Sequence, residues 1–433
     1  MQAADGRNVR RRDSPRRQDK VWCARLVQRI RTRNGGTGKA IFRSGDVMIL
    51  LRESPDSPAS QQNRIAMTNK LPKLPTAPRE VIEHIRRYEF GIGASLDAEG
   101  RVIVANMQRR YQSLLATVAE DLNSKESHFI LELVQNAEDN SYADGVAPSL
   151  SFSAEKTRLL VVNNELGFRP ENVAALCSAG ESSKKNKTGY IGEKGIGFKS
   201  VFKVTDAPEI HSNGYHFRFD RADPKDLLGY VVPHWKEPEV ALDNRATTLV
   251  LPARPGKPFP ADLLKDLDAT LLLFLEKIRQ LEVKTEGELL RHTREDNGSV
   301  TTLTSFHKPS GGAPRKEVKS FFRMRATYDF SKIKEPKREG INDTDLLLAF
   351  PLSATGEAEP DPNSPTYAFL PIRDFGFPFC IQADFVLISS REGIHVDLEW
   401  NITLRDEIAP TFVEAVEEFK AHPLLANTYL RFL

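Results

Sequence analysis

Before residue 71 the chain is irregular and Arg-rich, broken by NGGTG at 34–38 and SPDSPAS at 54–60. Order begins at the proline punctuation LPKLPTAP, 71–78. REVIEHIRRY at 79–88 reads as a helix, a longer helix runs from about 105 to 123, and Ser124 or Ser127 caps a third through about Asn140. After the loop SYADGVAPS comes a strand over 151–162, alternating in part and ending in LLVV. A Gly/Ser/Lys-rich stretch spans Ser178–Gly197, and strands follow at 215–219 (YHFRF) and 247–251 (TTLVL). The run ADLLKDLDATLLLFLEKIRQ predicts a helix over 261–280 that closes a first unit. Residues 285–300 are polar and read as a connector. From 301 to 433 a second unit alternates strands (320–327, 345–352, 367–371, 379–388) with a C-terminal helix around 405–420. The organisation expected is therefore a basic extension (1–70), a first α/β domain (71–284), a connector (285–300) and a smaller α/β domain (301–433).

Composition narrows the class. A chain of 433 residues, 40% apolar and 28% charged, has the length of two to three domains and material for a sizeable core. The longest apolar runs, Val47–Leu51 and Leu271–Leu275, are far short of the roughly 18 residues of a membrane span. The start MQAADGRNVRRR has no apolar stretch of the kind a secretory leader carries. Cys23, Cys177 and Cys380 stand far apart with no CxxC, which argues against a disulfide scaffold or zinc ribbon and fits a reducing compartment. The net charge of +2 conceals an asymmetry: residues 1–44 hold 13 Lys/Arg against 3 Asp, leaving the rest of the chain at −8. The basic start reads as a plain extension, as a nuclear signal (RRRDSPRRQDK), or as a mitochondrial presequence, with Trp22, Leu26, Val27 and Ile30 at helical spacing; Asp5, Asp13 and Asp19 count against the last. An intracellular address is expected, cytoplasmic or nuclear, with the mitochondrion left open. The acidic body argues against a nucleic-acid groove.

Four segments in order carry the chemistry. In ELVQNAEDN, Glu132 and Asn136 stand at i and i+4 on one helix face with Asp139 a further three along. Asn136 can offer a hard oxygen to Mg²⁺, and Glu132 can orient or deprotonate a water; taken alone, the pair is an ordinary solvated face. In VVNNELGF a strand runs into a turn, where Asn163 can accept from an exocyclic amine and Gly167 lets backbone approach a flat ligand; an Asx turn is the plain alternative. In GYIGEKGIGFKS, Gly192, Gly195 and Gly197 permit positive φ and can aim backbone N–H groups at phosphate, with Lys194 among them. Phe198 before Lys199-Ser200 excludes a Walker A loop, and Ser200 stands where a dinucleotide fingerprint needs its third glycine. The preceding SAGESSKKNKTG suits a nucleotide lid or a surface loop. In ATTLVL, the Thr247 hydroxyl can face a base. Cys177 reads as core, and His211 and His216 are poorly spaced for metal ligation on one helix face.

In this order and spacing the four segments resemble the ATP-binding module of the GHKL superfamily, shared by gyrase B, the large heat-shock chaperone, histidine kinases and MutL. Their phrasing is nearest the NO VEIN and sacsin subgroup, through SKESHFILELVQNAEDNSYADGVAPSL, NNELGFRPENVAALCSAGESSKKNKTGYIGEKGIGFKSVF and FLPIRDFGFPFCIQADFVLISSRE, over about residues 79–400. The resemblance implies an α/β two-layer sandwich, a mixed sheet covered by helices on one face, followed by a smaller α/β unit. It implies ATP and Mg²⁺ as cofactors, Glu132 as general base, Asn136 as metal ligand, and Asp139, Asn163, Gly167, Gly192, Lys194, Gly195, Gly197 and Thr247 around the nucleotide. In relatives a basic residue of the following domain reaches the γ-phosphate; Arg391 in LISSREG is the candidate, its alternative being a surface arginine paired with Glu392 or Asp397. One departure stands out: the wider superfamily has aspartate at Asn163 and glycine at Glu165. The function expected is Mg²⁺-dependent ATP binding with slow hydrolysis driving lid closure, in a chaperone-like or regulatory protein with a protein client and with dimerisation left open. The rivals are a catalytically silent nucleotide-binding interaction module and a nucleic-acid-handling ATPase.

Overall fold

In the computed structural model the described residues are 73–121, 128–178, 197–222, 228–388 and 393–433. The expected basic extension 1–70 lies outside them. The chain is a mixed α/β structure built on one 14-stranded sheet. In chain order the elements are α1 (Pro78–Tyr88), α2 (Ala98–Asp121), α3 (His128–Asp139), β1 (Ser149–Glu155), β2 (Arg158–Asn163), α4 (Pro170–Cys177), β3 (Glu209–Ser212), β4 (Tyr215–Arg218), β5 (His234–Trp235) and β6 (Thr247–Pro252). Then follow β7 (Gln280–Lys284), β8 (Glu288–Asn297), β9 (Val300–Pro309), β10 (Arg315–Asp329), β11 (Asp343–Leu352), β12 (Pro365–Ala368), β13 (Leu370–Asp374), β14 (Cys380–Ala383) and α5 (Glu399–Ala421). The strand order is β13-β12-β14-β11-β10-β9-β8-β7-β1-β2-β6-β3-β4-β5. β1 runs parallel to β7 and β12 parallel to β14, while the neighbouring pairs are antiparallel. No helix of the described residues is long and apolar enough to cross a membrane.

Period-2 patterning sets the first core. Leu150, Phe152 and Ala154 of β1 and Leu159 and Val161 of β2 are buried while their neighbours are half-buried, so one face of the hairpin is apolar. Phe129, Leu133, Val134 and Ala137 of α3 fill the same cluster, with Val81, Ile82 and Ile85 of α1 and Val173 and Cys177 of α4. The single strand expected at 151–162 is two strands, because Lys156-Thr157 turn between Glu155 and Arg158.

Two other expectations are corrected. Residues 261–280 are two short 3₁₀ turns, Ala261–Leu264 and Ala269–Leu273, followed by irregular chain into β7. Leu271 to Leu275 are all buried, and a segment enclosed on every side has no amphipathic face to fix a helix. Asp268 starts its second turn by accepting from the Thr270 N–H at 2.7 Å. Residues 285–300, read as a connector, are mostly β8, paired to β7 on one side and β9 on the other. The strands there carry alternating charge and were masked by their polarity.

A second, aromatic core holds α5 to the far half of the sheet. Trp400, Leu404, Ile408, Phe412 and Phe419 pack with Phe322, Leu346, Leu348 and Phe350. Phe350 meets Phe379 at 4.8 Å and Phe419 edge-on at 4.8 Å between ring centroids. β11 is buried on both faces: Leu346, Leu348 and Phe350 join this cluster, while Ala349 joins the first, alongside Leu271–Leu275.

A buried carboxylate ties helix α3 to the turn that leads into β7. Glu138, on α3, accepts from the backbone N–H groups of Glu276 (2.7 Å), Lys277 (2.8 Å) and Ile278 (3.0 Å), fixing the turn that feeds β7. Truncation leaves three donors in a dry site, and unpaired buried groups cost about 1–3 kcal/mol each before water enters. Glu138→Ala is therefore expected to lower unfolding stability by roughly 3 kcal/mol, read by chemical denaturation; a loss within experimental error would show that the turn is held by packing alone.

Candidate functional site

α3 offers Glu132 and Asn136, both half-buried and one turn apart, while Asp139 near its end is buried. Facing them is the 3₁₀ turn Gly197–Lys203. A Cβ on residue 197 would stand 2.1 Å from Glu132 Oε2, so the carboxylate lies directly against the glycine backbone. A side chain at 197 would have to displace the end of the Glu132 side chain. The structure thus brings together the helix carboxylate and the last glycine of the glycine-rich segment. Gly192, Lys194, Gly195, the preceding lid sequence and Arg391 lie outside the described residues.

At the far side Asn163 ends β2 and is paired in register with Thr247, which begins β6. The buried Asn163 amide makes three hydrogen bonds. Its Nδ2 donates to the Ser149 carbonyl (2.9 Å) and to Tyr142 Oη (2.8 Å), and its Oδ1 accepts from Asn140 Nδ2 (3.0 Å). Because Ser149 O can only accept, the amide orientation is fixed by the network. Tyr142 in turn donates to Ala137 O at 2.6 Å, tying the end of β2 back to α3. One lone pair of Oδ1 is left for a further donor.

Thr247 is part of a directional chain of hydroxyls. Phe168 N–H donates to Ser212 Oγ (2.9 Å), Ser212 and Thr247 hydroxyls meet at 2.5 Å, and Thr247 donates to Glu165 Oε1 (2.6 Å). With Thr247's proton directed at the carboxylate, the Ser212 proton must point to Thr247. Glu165, Thr247 and Ser212 are all buried. Glu165, two residues after Asn163, thus sets its carboxylate on Thr247, the residue paired opposite Asn163. Sequence reading marked Glu165 as a departure but gave it no partner, and Tyr142 and Ser212 carried no signal of their own.

Gly167 has φ 87°, and an added Cβ would meet Asn213 Cβ at 2.7 Å. Its close approach is to the β3–β4 turn, where Asn213 and Gly214 both have positive φ, as a two-residue hairpin requires. That turn clasps the loop: Asn213 Nδ2 donates to Phe168 O at 2.9 Å. His211 and His216 are cross-strand partners in the same hairpin, with Nδ1 atoms 3.2 Å apart. Among the described residues no three His, Cys, Asp or Glu side chains converge as a metal cage.

Lys199 is turned into the core. Its buried Nζ donates to Leu176 O (2.5 Å) and Tyr230 O (2.7 Å) and lies 4.3 Å over the Phe219 ring. Burial lowers its pKa from 10.5 to about 8, opposed by Cys177, whose own thiol burial pushes up.

With this geometry in view, comparison with known proteins gives a consistent result. Residues 114–227 match the Sacsin domain. The match takes in α3, β1, β2, α4, the Gly197 turn and the β3–β4 hairpin, leaving Thr247 outside. The chain is 35% identical over 384 residues to the protein NO VEIN of Arabidopsis thaliana, covering 83% of this chain and 14% of that one. It is 28% identical over 387 residues to sacsin of Homo sapiens, covering 70% of this chain and 8% of sacsin. These matches support the likeness to the NO VEIN and sacsin subgroup, and the chain spans only a small part of either relative. The Sacsin-domain residues include every described site residue named above except Thr247.

Two outcomes follow from these bonds. Asn163→Asp replaces the donor to Ser149 O and Tyr142 Oη by a carboxylate set against a carbonyl. It is expected to cost about 2–4 kcal/mol of unfolding stability at neutral pH, with partial recovery in acid as the carboxyl regains a proton to donate; unchanged denaturation curves would refute the network's importance. For Lys199 the unfolded chain keeps its proton to about pH 10.5 while the folded chain releases it near 8. Between these values the unfolded state binds more protons, so stability rises with pH, by about 3 kcal/mol at the full extent. Raised hydroxyl pKa values at buried Tyr142 and Tyr367 act in the opposite sense above pH 10. Burial also raises the Cys177 and Cys380 thiols from 9.0, which opposes the rise above about pH 9, so the test is the difference in unfolding free energy between wild type and Lys199→Met, which should grow between pH 8 and 10.

Proposed function

We propose that the chain is a Mg²⁺-dependent ATP-binding protein of the GHKL kind, with slow hydrolysis serving as a conformational switch in a chaperone-like or regulatory protein. The observation that carries the reading is the Glu132 carboxylate seated against Gly197. A helix carboxylate and a bare glycine backbone meet where a γ-phosphate and its attacking water need a base and room. On this reading the half-sheet from β7 to β5, with α1, α3 and α4, is the two-layer ATP-binding sandwich, and the strands beyond β8 with α5 are the smaller unit.

The residues fit the cofactor. Mg²⁺ in phosphate sites is held by one or two protein oxygens together with phosphate oxygens, so Asn136 suffices without a cage of carboxylates. Bound Mg²⁺ supplies neutralisation of phosphate charge. Glu132 holds water in line and takes its proton; Gly197, with Gly192, Gly195 and Lys194, lines the phosphates; Asp139 supports the helix end. Near the base, Asn163 has one acceptor site left, and Glu165 supplies the negative charge next to Thr247. Arg391 is assigned to the γ-phosphate from the second unit. The client is a protein, and both client and assembly belong to the proposal.

The silent interaction module remains the second reading, favoured by one observation: the Thr247 hydroxyl is already committed to Glu165. Phosphate release and nucleotide affinity separate the two. Asn136→Ala is expected to remove the Mg²⁺ dependence of ATP binding. Glu132→Ala is expected to keep binding and lose turnover by roughly 10²–10⁴-fold, since a general base acts in the transition state. Equal affinity for adenosine and ATP·Mg would refute nucleotide recognition through the phosphates; ATP binding without turnover would select the silent module.

A further inference from the structure

The turn of the β3–β4 hairpin grips the loop that follows β2, and two histidines lie across the strands behind it. His211 on β3 and His216 on β4 are directly opposed, with Nδ1 atoms 3.2 Å apart and ring centroids 5.3 Å apart. Two ring nitrogens at that distance share one hydrogen, one donating and the other accepting. The His211 side chain is buried. At the other edge of its ring, Nε2 has no hydrogen-bond partner among the described residues and lies 3.6 Å from Glu209 Oε2. A carboxylate there repels a bare lone pair, so Nε2 carries a hydrogen. His211 Nδ1 is then the acceptor and His216 Nδ1–H the donor.

The surroundings can support one added charge and not two. β6 places Thr248 opposite His211 and Val250 opposite Glu209, neither of them charged. On β4, Arg218 is opposite Glu209 and 3.0 Å from Asp220. From β5, Trp235 meets the His216 ring edge-on at 5.7 Å and donates from Nε1 to Glu237 Oε1 at 2.7 Å. His234 is bonded to Arg86 Nη1 of α1 at 3.1 Å, Arg79 of α1 stands over the Trp235 ring, and Lys236 pairs with Glu239. Burial, and after it the neighbouring His211, lowers the proton affinity of His216 against the opposing pull of Glu237.

We propose that the His211–His216 pair is a proton-operated latch, which keeps the β3–β4 turn closed on Gly167 and Phe168 while it holds one added proton or none and releases it when both imidazoles are charged. The first proton leaves the shared hydrogen in place. The second can bind only between the two Nδ1 atoms, where two N–H groups and two positive charges then face each other. Ser212 follows His211 directly and Asn213 forms the turn. Parting the strands therefore withdraws Ser212 from Thr247 and Asn213 from the Phe168 carbonyl. The latch acts on the loop after β2 and does not depend on the nucleotide assignment. The sign is fixed: an unfolded imidazole takes its proton near 6.5, and His216 in the closed hairpin takes its own at lower pH. Between those values the opened state binds more protons, so acid favours opening, by up to about tenfold per pH unit for each proton.

The test is hydrogen–deuterium exchange of the full chain at about pH 7.5 and about pH 5, on either side of the imidazole range, with intrinsic exchange rates corrected for pH. The β3–β4 hairpin is compared with the β1–β2 hairpin, which contains no histidine. Expected is a loss of protection on acidification that is about tenfold or more greater in β3–β4 than in β1–β2. In His216→Asn, whose amide can donate to His211 Nδ1 and takes up no proton, β3–β4 is expected to stay protected at both pH values. A wild-type β3–β4 hairpin no more acid-sensitive than β1–β2, or a His216→Asn hairpin as acid-sensitive as the wild type, would overturn the latch. Should His216→Asn not fold, ring-nitrogen resonances of the wild type decide it. Two separated protonation steps are expected, and two independent ones at the ordinary histidine value would show that no hydrogen is shared.

Discussion

Everything that positions the candidate site rests on one buried carboxylate and the turn it holds. Glu138 takes three consecutive backbone N–H groups at 276–278, and Arg279 directly after them begins the approach to β7. β7 is the strand that pairs in parallel with β1 on one side and with β8 on the other. A parallel pairing cannot be set by a tight hairpin, so its register must be imposed by whatever anchors the crossover. Here the anchor is a side chain of the same helix that presents Glu132 and Asn136. The helix and the sheet therefore cannot slide relative to each other without breaking charge-assisted bonds in a dry interior.

The second constraint is the bonding around Asn163 and Glu165. An aspartate at 163 would face the Ser149 carbonyl; asparagine makes that contact a donated bond and engages Tyr142 and Asn140 as well. The negative charge sits on Glu165, whose carboxylate orients Thr247 and, through it, Ser212 and the Phe168 backbone.

How much of this was legible depended on whether a residue's role was local. Helices α1 and α3 and strands β4, β6, β10 and β11 follow from periodicity, since each buries one face against a layer. The plug at 261–275 and strands β7 and β8 did not follow, because their burial and pairing come from segments distant in sequence. LLLFL looks helical when judged alone, and a charged hairpin looks like a linker. For the site, the placing of Glu132 and Asn136 one turn apart on a helix was legible from their spacing. The partners of Asn163 and Thr247 were not, being set by cross-strand register and by Tyr142 and Ser212, whose residue types announce nothing. Lys199, just after the glycine-rich segment, is turned onto two carbonyls and a phenyl ring, where burial lowers its pKa; those partners come from residues 176, 219 and 230 and could not be read from its neighbours in sequence.

The contact between Glu132 and Gly197 differs in kind from the others. Glu138, Asn163 and Glu165 each hold their neighbours by several directed bonds, so the helix end, the strand ends and the β3–β4 turn form a fixed frame. At Gly197 the backbone simply lies against the carboxylate, and without a Cβ it has no side chain to interlock with the helix. A switch needs a rigid reference and a surface that can leave it at low cost. On the proposed reading, helix α3, held by Glu138, is the reference, and the backbone at Gly197 is the surface that would move against it.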